Sequence, residues 1–404
     1  MKFKPLLTFS ILLSACSLSF TGFAGGQSEN IMTISLENSD TVVGPDSVAV
    51  RIPIGPDIRG SYCRSAQSDS VLRLAVILPD INGHRDTEFS RGFLMGLQKI
   101  EIPDGSLSLK MINGNIPEDS LSTILNEFNP GVIISSHEKE TPKALLDYSQ
   151  GNFAKLISVF DAKGEDYKKY PGVYQLLTPS NPFSENTAKY LMDTYGDHYL
   201  LLIGDPDTSD PILRATVIEW PEEKILFAEV DEFPTMKLEE GANYLIYPSL
   251  PNDSEIAPLM VETKKKMKSA PLTGIRVIGR PNWITVNNLD KTVEGVEVLV
   301  PSKCYFNPSS DVAKRFIKEY KDNYDKTPVK SYPVYSVMGY DAARYFIPLL
   351  IGEIRGTTGE WTPEDMMQSY FSIGDDDWNQ GAYNKGTYIL HYHPASKMTK
   401  DLVN

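Results

Sequence analysis

From Leu72 onward the chain alternates short apolar runs with segments of helical periodicity. The first run, LRLAVIL (72–78), is almost continuously apolar, as expected of a strand covered on both faces. A polar loop, PDINGHRDTE, follows. From about Glu88 the residues Phe89, Phe93, Leu97 and Ile100 recur on one helical face, with Asp86 and Glu88 placed where a helix N-terminus favours negative charge. SLSLKMI is the next strand. Pro117 then opens a helix carrying Leu121, Ile124, Leu125 and Phe128 on one side, which Asn129-Pro130-Gly131 ends. The strand VIISS, a helix with Leu145 and Leu146, and the strand KLISVFD continue the pattern. After VYQLLTPS the rhythm restarts. A helix with Ala188, Leu191, Met192 and Tyr195 leads into the strands YLLLIGD, ILFAEV and NYLIYPS. A helix with Ile256, Leu259 and Met260 then precedes IRVIG and VEVLV. The helix from Asp311 to about Tyr324 sets Val312, Phe316, Tyr320 and Tyr324 in register, another runs from about Tyr335 to Ile351, and GTYILHYH reads as a closing strand.

Such alternation is the signature of βαβ units winding parallel sheets, so the fold class is α/β. The strands outnumber what one open sheet usually carries, which predicts two doubly wound sheets. A length of 404 residues agrees, being too long for one core. Residues 25–70 differ: Gly44-Pro45, Gly55-Pro56 and Gly60 break them repeatedly, and only Val48–Ile54 suggests a strand. They read as a lead-in linker.

At the N-terminus, Lys2 and Lys4 precede an uncharged apolar stretch from Leu6 to Phe23. A basic start, an apolar run and a small-residue exit make residues 1–24 a secretory signal peptide and predict a periplasmic or cell-envelope location. The competing reading is a membrane anchor, which Ser, Thr and Gly dilute. Two exits are open. Gly22-Phe23-Ala24 suits cleavage before Gly25, whereas Leu13-Ser14-Ala15-Cys16 resembles a lipobox that would leave a lipid-anchored Cys16.

Composition is ordinary for a globular chain, but the net charge of −14 argues against nucleic acid as a partner. The one basic run, Lys264-Lys265-Lys266 with Lys268, reads as a solvated helix end. Beyond Cys16, only Cys63 and Cys304 remain; an oxidising compartment would permit their pairing, although their contexts differ. No metal-type cysteine spacing exists.

Catalytic templates are missing: no G-x-S-x-G elbow, phosphate loop, G-x-G-x-x-G or H-E-x-x-H occurs, so no catalytic residue and no cofactor is assigned. His391 and His393 lie two apart on a strand and share a face, but without an evident third ligand they read as exposed strand histidines rather than a metal site. Asp375-Asp376-Asp377 lacks the spaced oxygens of a calcium loop and reads as an acidic turn.

In open α/β sheets ligands bind beyond the carboxyl ends of the strands. Here those ends are PDINGH, SSHEKE, FDAKGED, GDPDTSD, YPSLPND and GRPNW, rich in hydroxyls, carboxylates and turn residues. They nominate Asp80, Ser135, Ser136, His137, Asp161, Asp205, Tyr247, Arg280 and Trp283 as ligand-binding residues. Ser135 and Ser136, ahead of a helix, suit an anion, although plain N-capping explains such residues equally well. Trp283 is either a pocket wall or a core plug.

Two pieces carry a family resemblance. FIKEYKDNYDKTPVKSYPVYSVMGYDAARYFI (316–347) and RLAVILPDINGHRDTEFSRGFLMGLQKI (73–100) resemble the type I periplasmic-binding-protein family, in its leucine/isoleucine/valine-binding group. The chain looks closest to stand-alone Bacteroidetes-type envelope members related to LysM-linked versions. The resemblance implies two lobes with a ligand cleft between them, joined by three crossovers near Thr178-Pro179-Ser180, near Pro301–Cys304 and after about Ile351. That adds Ser180 to the candidates and divides the chain into 71–179 plus 305–352 for one lobe and 180–304 plus 353–404 for the other. It also implies a small-molecule ligand and hinge closure, with a membrane permease or a peptidoglycan-associated protein as partner. The family's amino-acid binders hold an α-carboxylate where Ser135 and Ser136 stand, with a later aromatic near Tyr247. The acid that holds their ammonium group should fall in GRPNW, where this chain has Arg280 and Trp283. The expected function is therefore an exported, non-catalytic solute-binding or sensory protein of unassigned ligand. The alternative is an envelope interaction protein that uses the same fold to regulate or scaffold peptidoglycan-associated partners.

Overall fold

The computed structural model describes residues 10–12, 17–20, 31–37, 72–100, 107–161, 168–205, 209–250, 253–351, 366–373, 381–394 and 398–404. The described chain begins with strands β1 (Ser10–Leu12), β2 (Ser17–Phe20) and β3 (Ile31–Glu37). The alternating part follows with β4 (Leu72–Leu78), α1 (His84–Leu97), β5 (Leu107–Asn113), α2 (Glu118–Phe128), β6 (Val132–Ser135), α3 (Lys143–Asn152), β7 (Lys155–Ser158) and β8 (Val173–Gln175). Next come α4 (Ser180–Tyr195), β9 (Tyr199–Ile203), α5 (Pro211–Glu219), β10 (Ile225–Ala228), β11 (Asn243–Pro248), α6 (Ile256–Ser269), β12 (Gly274–Ile278), α7 (Leu289–Val293) and β13 (Glu297–Ser302). The chain ends with α8 (Asp311–Tyr324), α9 (Tyr335–Ile351), β14 (Ala382–Tyr383), β15 (Thr387–Tyr392) and β16 (Thr399–Val403). No helix among the described residues is long and apolar enough to cross a membrane.

Two compact units result. The first takes the described residues up to Leu177 with those of Phe306–Ser369 and Ile373–Asn384; the second takes Thr178–Tyr305, Tyr370–Ser372 and Lys385–Asn404. The third passage thus falls at Ser369, beyond the expected position after Ile351, and the chain re-enters the first unit before leaving it at Asn384. The physical reason is strand pairing: β14 lies parallel to β8 and extends the first sheet.

In the first unit the strand order is β1-β2-β3-β5-β4-β6-β7-β8-β14. The pairs from β5 through β14 are parallel, and β3 joins β5 antiparallel. Pairing by Ile31–Glu37 was not foreseen; the expected strand Val48–Ile54 lies outside the described residues. One face of this sheet buries Ala75, Ile77, Ile112, Ile133 and Leu156 against α2 and α3. On α1, the helix begins four residues before Glu88, so Asp86 and Glu88 are inside it and buried. Glu88 accepts from the Tyr320 hydroxyl at 2.7 Å and from the Val329 N–H at 3.2 Å, which ties α1 to α8. α8 starts on the Ser310 hydroxyl, which accepts from Ala313 N–H, and buries Ala313, Phe316 and Tyr320. Val312, expected on that face, is exposed because the helix turns its Ala313 side inward.

The buried Asp341 carboxylate of α9 accepts the backbone N–H groups of Met367, Gln368 and Ser369 at 2.9, 2.9 and 3.0 Å, pinning that segment to the first unit. Burial outweighs those donors and pushes its pKa up to about 6.

The second unit has the order β10-β9-β11-β12-β13-β15-β16, parallel through β13 and antiparallel thereafter. Alternation along β9 sends Leu201 and Ile203 to one core, with Ile246, Val277 and Val298, and Leu200 and Leu202 to another, with Leu245 and Leu299. Both faces are therefore covered, as the apolar runs predict. The basic run on α6 is less solvated than expected. Lys266 is buried and donates to the carbonyls of Met236 at 2.6 Å and Pro234 at 3.3 Å, with its ammonium over the Phe233 ring. A long aliphatic stem carries the charge from the helix to those carbonyls. Beyond β15, β16 forms the sheet edge.

Candidate functional sites at the strand ends

A doubly wound sheet opens a crevice where successive crossovers leave on opposite sides. In the first unit β4 sits between β5 and β6, so that point lies at the carboxyl ends of β4 and β6. The loops there are Pro79–Gly83 and Ser136–Thr141. Asp86 knits them together: its carboxylate, 1% exposed, accepts the Asp80 N–H at 2.7 Å and the Ser136 hydroxyl at 3.0 Å. The Arg85 Nε donates to it at 3.1 Å. Arg85 also donates through Nη1 to Glu138 at 2.9 Å, and its guanidinium lies 5.7 Å from the Phe160 ring centroid. Phe160 in turn meets Tyr335 edge-on at 5.6 Å. A cation, an exposed carboxylate and two rings thus converge at one place. Arg85 stands within the loop PDINGHRDTE but was not singled out; the residue nominated there was Asp80.

Several nominated residues are placed differently from what ligand contact requires. Ser135 and Ser136 are fully buried. The Ser135 hydroxyl is engaged by His137 Nδ1 at 2.7 Å, and Ser136 also donates to the Ile77 carbonyl. The Ser135 hydroxyl is taken up by His137 and that of Ser136 by the Asp86 carboxylate, so each satisfies the loop that holds it. Asp161 is likewise buried, accepting the Thr141 N–H at 3.0 Å and its hydroxyl at 3.3 Å. His137 is part-buried, and burial, aided by the Arg85 charge, lowers its pKa to about 4, so it is neutral at pH 7. Asp80 is exposed.

In the second unit the corresponding point lies at the ends of β9 and β11. Asp210, not singled out from the sequence, organises it. One carboxylate oxygen caps α5, accepting from Ile212 N–H at 3.0 Å and Leu213 N–H at 3.3 Å. The other accepts the Tyr247 hydroxyl at 2.8 Å and lies 3.7 Å from Arg280 Nε. An acid therefore does stand beside Arg280, contributed by the loop after β9 rather than by GRPNW. A capping Asp ahead of Pro211 was the available signal. Tyr247 is 1% exposed and Trp283 2% exposed. Trp283 packs into the core with Val277 and Val300, and a Cβ at Gly279 would stand 2.6 Å from its indole ring. This burial fits the core-plug reading. Ser180, the first residue of α4, and Asp205 are exposed.

His391 corrects another expectation: it is 7% exposed, because it contacts the Tyr190 hydroxyl at 3.0 Å and Asp401 at 3.1 Å across β15, β16 and α4. His393 instead meets the Thr399 hydroxyl at 2.7 Å. Among the described residues, no group of three or more His, Cys, Asp or Glu side chains is placed to hold a metal ion. The Cys304 side chain is buried, while Cys16, Cys63 and Asp375-Asp376-Asp377 lie outside the described residues.

No protein-family profile and no curated protein matches the chain. Among solved structures it is similar to an ABC transporter substrate-binding protein from Desulfitobacterium hafniense, at 15% identity over 82% of this chain and 99% of that one, with a TM-score of 0.45. It is also similar to full-length LpoA from Haemophilus influenzae, at 12% identity and a TM-score of 0.49, covering 83% of this chain but only 60% of LpoA. The LpoA C-domain, described as a regulator of PBP1A, is covered to 99% by 81% of this chain, at 12% identity and a TM-score of 0.47.

Proposed function

We propose that the protein is an exported, non-catalytic binding protein that takes a small solute at the strand ends, in a solute-binding or sensory role. The observation that supports this most directly is the convergence of Arg85, Glu138, Phe160 and Tyr335 at the switch point of the first sheet. Charged and aromatic groups gathered at that position are what an α/β ligand site requires. Acid–base chemistry is poorly supported there, because the Ser135 hydroxyl is buried and a His137 with a pKa near 4 is a weak proton acceptor at neutral pH. Export rests on the leader ending before Gly25, with Cys16 as a lipid-anchor alternative; a permease is the partner that a transport role would require.

The experiment is a thermal-shift screen of the purified protein against amino acids, sugars, nucleosides and muropeptides. A specific solute at a hundredfold excess over its Kd stabilises the folded state by about 2.7 kcal/mol. No shift with any class defeats this reading.

A second reading, an envelope interaction protein acting on peptidoglycan-associated partners, is favoured by a groove of about 410 Å³ between α4 and α5, lined by Asn181, Ser184, Glu185, Arg214 and Ile218. Ile218 is 80% exposed there, beside the apolar Ala188, Pro211 and Ala215 of the same groove. This role requires Ile218→Asp to abolish a cross-link to an envelope protein in cells without changing solute responses.

A further inference from the structure

The two carboxylates on Arg85 are held very differently. Asp86 is 1% exposed and is fixed by the Asp80 N–H and the Ser136 hydroxyl, so it is a structural partner held in place on Arg85. Glu138 has a side chain 66% exposed and makes no other hydrogen bond among the described residues. An ion pair so exposed shifts an equilibrium by no more than about fivefold. A guanidinium carries N–H donors in a planar fork that suits two oxygens of a carboxylate or phosphate. Only Nε and Nη1 of Arg85 have acceptors among the described residues. The Phe160 ring beneath the guanidinium supplies an apolar floor, and Tyr335 braces that ring edge-on. His137, neutral at pH 7, adds no second cation.

Building on the strand-end reading above, we infer that Arg85 is the anion-recognising residue of the first unit's site, and that Glu138 is a tethered carboxylate which the anionic group of the solute displaces. Exchanging Glu138 for a ligand carboxylate leaves the charge around Arg85 unchanged, whereas a phosphate adds up to about one further negative charge. The displaced Glu138 side chain is already largely in solvent and returns to water at little cost. The shared ligand chemistry is a carboxylate or phosphate group, and the recognition is bidentate.

The test uses the full chain with sodium succinate and sodium phosphate as probes, against sodium chloride at matched ionic strength, and with glucose and uridine as neutral probes. Binding is read by calorimetric titration and by thermal unfolding. Glu138→Gln should bind succinate or phosphate about fivefold more tightly than the native chain. Arg85→Lys, which keeps the charge but loses the fork, should bind about tenfold more weakly. Arg85→Gln leaves Asp86 buried without its cation and is liable to misfold, so the other two variants decide the matter. A response to succinate alone assigns a carboxylate, and one to phosphate alone assigns a phosphoryl group. Equal anion affinities in the native, Glu138→Gln and Arg85→Lys chains would overturn the inference. If glucose or uridine binds while neither anion does, the inference falls and solute binding stands. If no probe binds and the wider solute screen is also silent, both fall.

Discussion

Replacing Gly92 by Ala tests how closely α1 and α9 must approach for the first unit to form. A Cβ at Gly92 would stand 1.6 Å from the Ser336 carbonyl oxygen and 2.5 Å from its carbon. The reciprocal contact is almost as tight, since a Cβ at Gly339 would lie 2.1 Å from the Phe89 oxygen. Both obstacles are backbone atoms, which have no rotamer to change. Relief requires the helices to part by roughly 1.5 Å, enough to forfeit much of the dispersion energy along their contact. Overpacking a core costs about 1–3 kcal/mol, and a rigid backbone obstacle puts this case at the top of that range. Alanine's better helix propensity returns about 1 kcal/mol, leaving a net loss of about 2 kcal/mol or more. Gly151→Ala is the control. Gly151 is also helical, but a Cβ there meets nothing within 4 Å, so the same substitution should stabilise by up to about 1 kcal/mol. Urea unfolding followed by far-UV circular dichroism measures both, with the midpoint compared at constant slope. A Gly92→Ala protein that unfolds at the native midpoint, or a Gly151→Ala protein that loses as much as Gly92→Ala, would refute the steric argument.

Trp283→Ala should cost about 3–5 kcal/mol, the penalty for emptying a large buried site, and any chain that still folds should keep its solute responses. Undiminished stability with lost binding, measured by urea melts and thermal shift together, would restore Trp283 to the site. For His137 the sign follows from a folded pKa of about 4 against an ordinary value of 6.5. The neutral form is favoured by folding, so this residue's contribution is complete above pH 6.5 and is lost as pH falls toward 4, by about 3 kcal/mol in all. Asp341 acts oppositely over an overlapping range: its raised pKa makes folding less favourable as pH climbs from about 4 through 6. His137→Gln should therefore remove the acid-side loss and leave a chain whose urea midpoint rises between pH 6.5 and 4; an unchanged profile in that variant would refute the assignment.

Much of the fold was legible because both signals involved are local. A strand such as Leu72–Leu78 is apolar at every position but Arg73 because both its faces are covered, and Leu121 and Leu125 recur at helical spacing because one side of α2 is buried. A capping Asp or Ser ahead of a helix is local too, as Asp210 and Ser310 show. The interesting places in the chain followed from the same reading, since the strand ends are found once the strands are. The roles of the residues at those places did not. Whether a hydroxyl faces solvent or its own loop depends on partners far away in sequence: Ser136 meets Asp86 from 50 residues earlier, and Tyr247 meets Asp210 from 37 earlier. By itself the sequence determined an α/β chain with two doubly wound sheets and ligand-type loops at their strand ends. Only the tertiary structure decided that Ser135, Ser136, Asp161, Tyr247 and Trp283 are buried and that Arg85 meets Glu138 and Phe160 at a strand end. Burial and pairing are properties of the assembled surface, and no single segment encodes them.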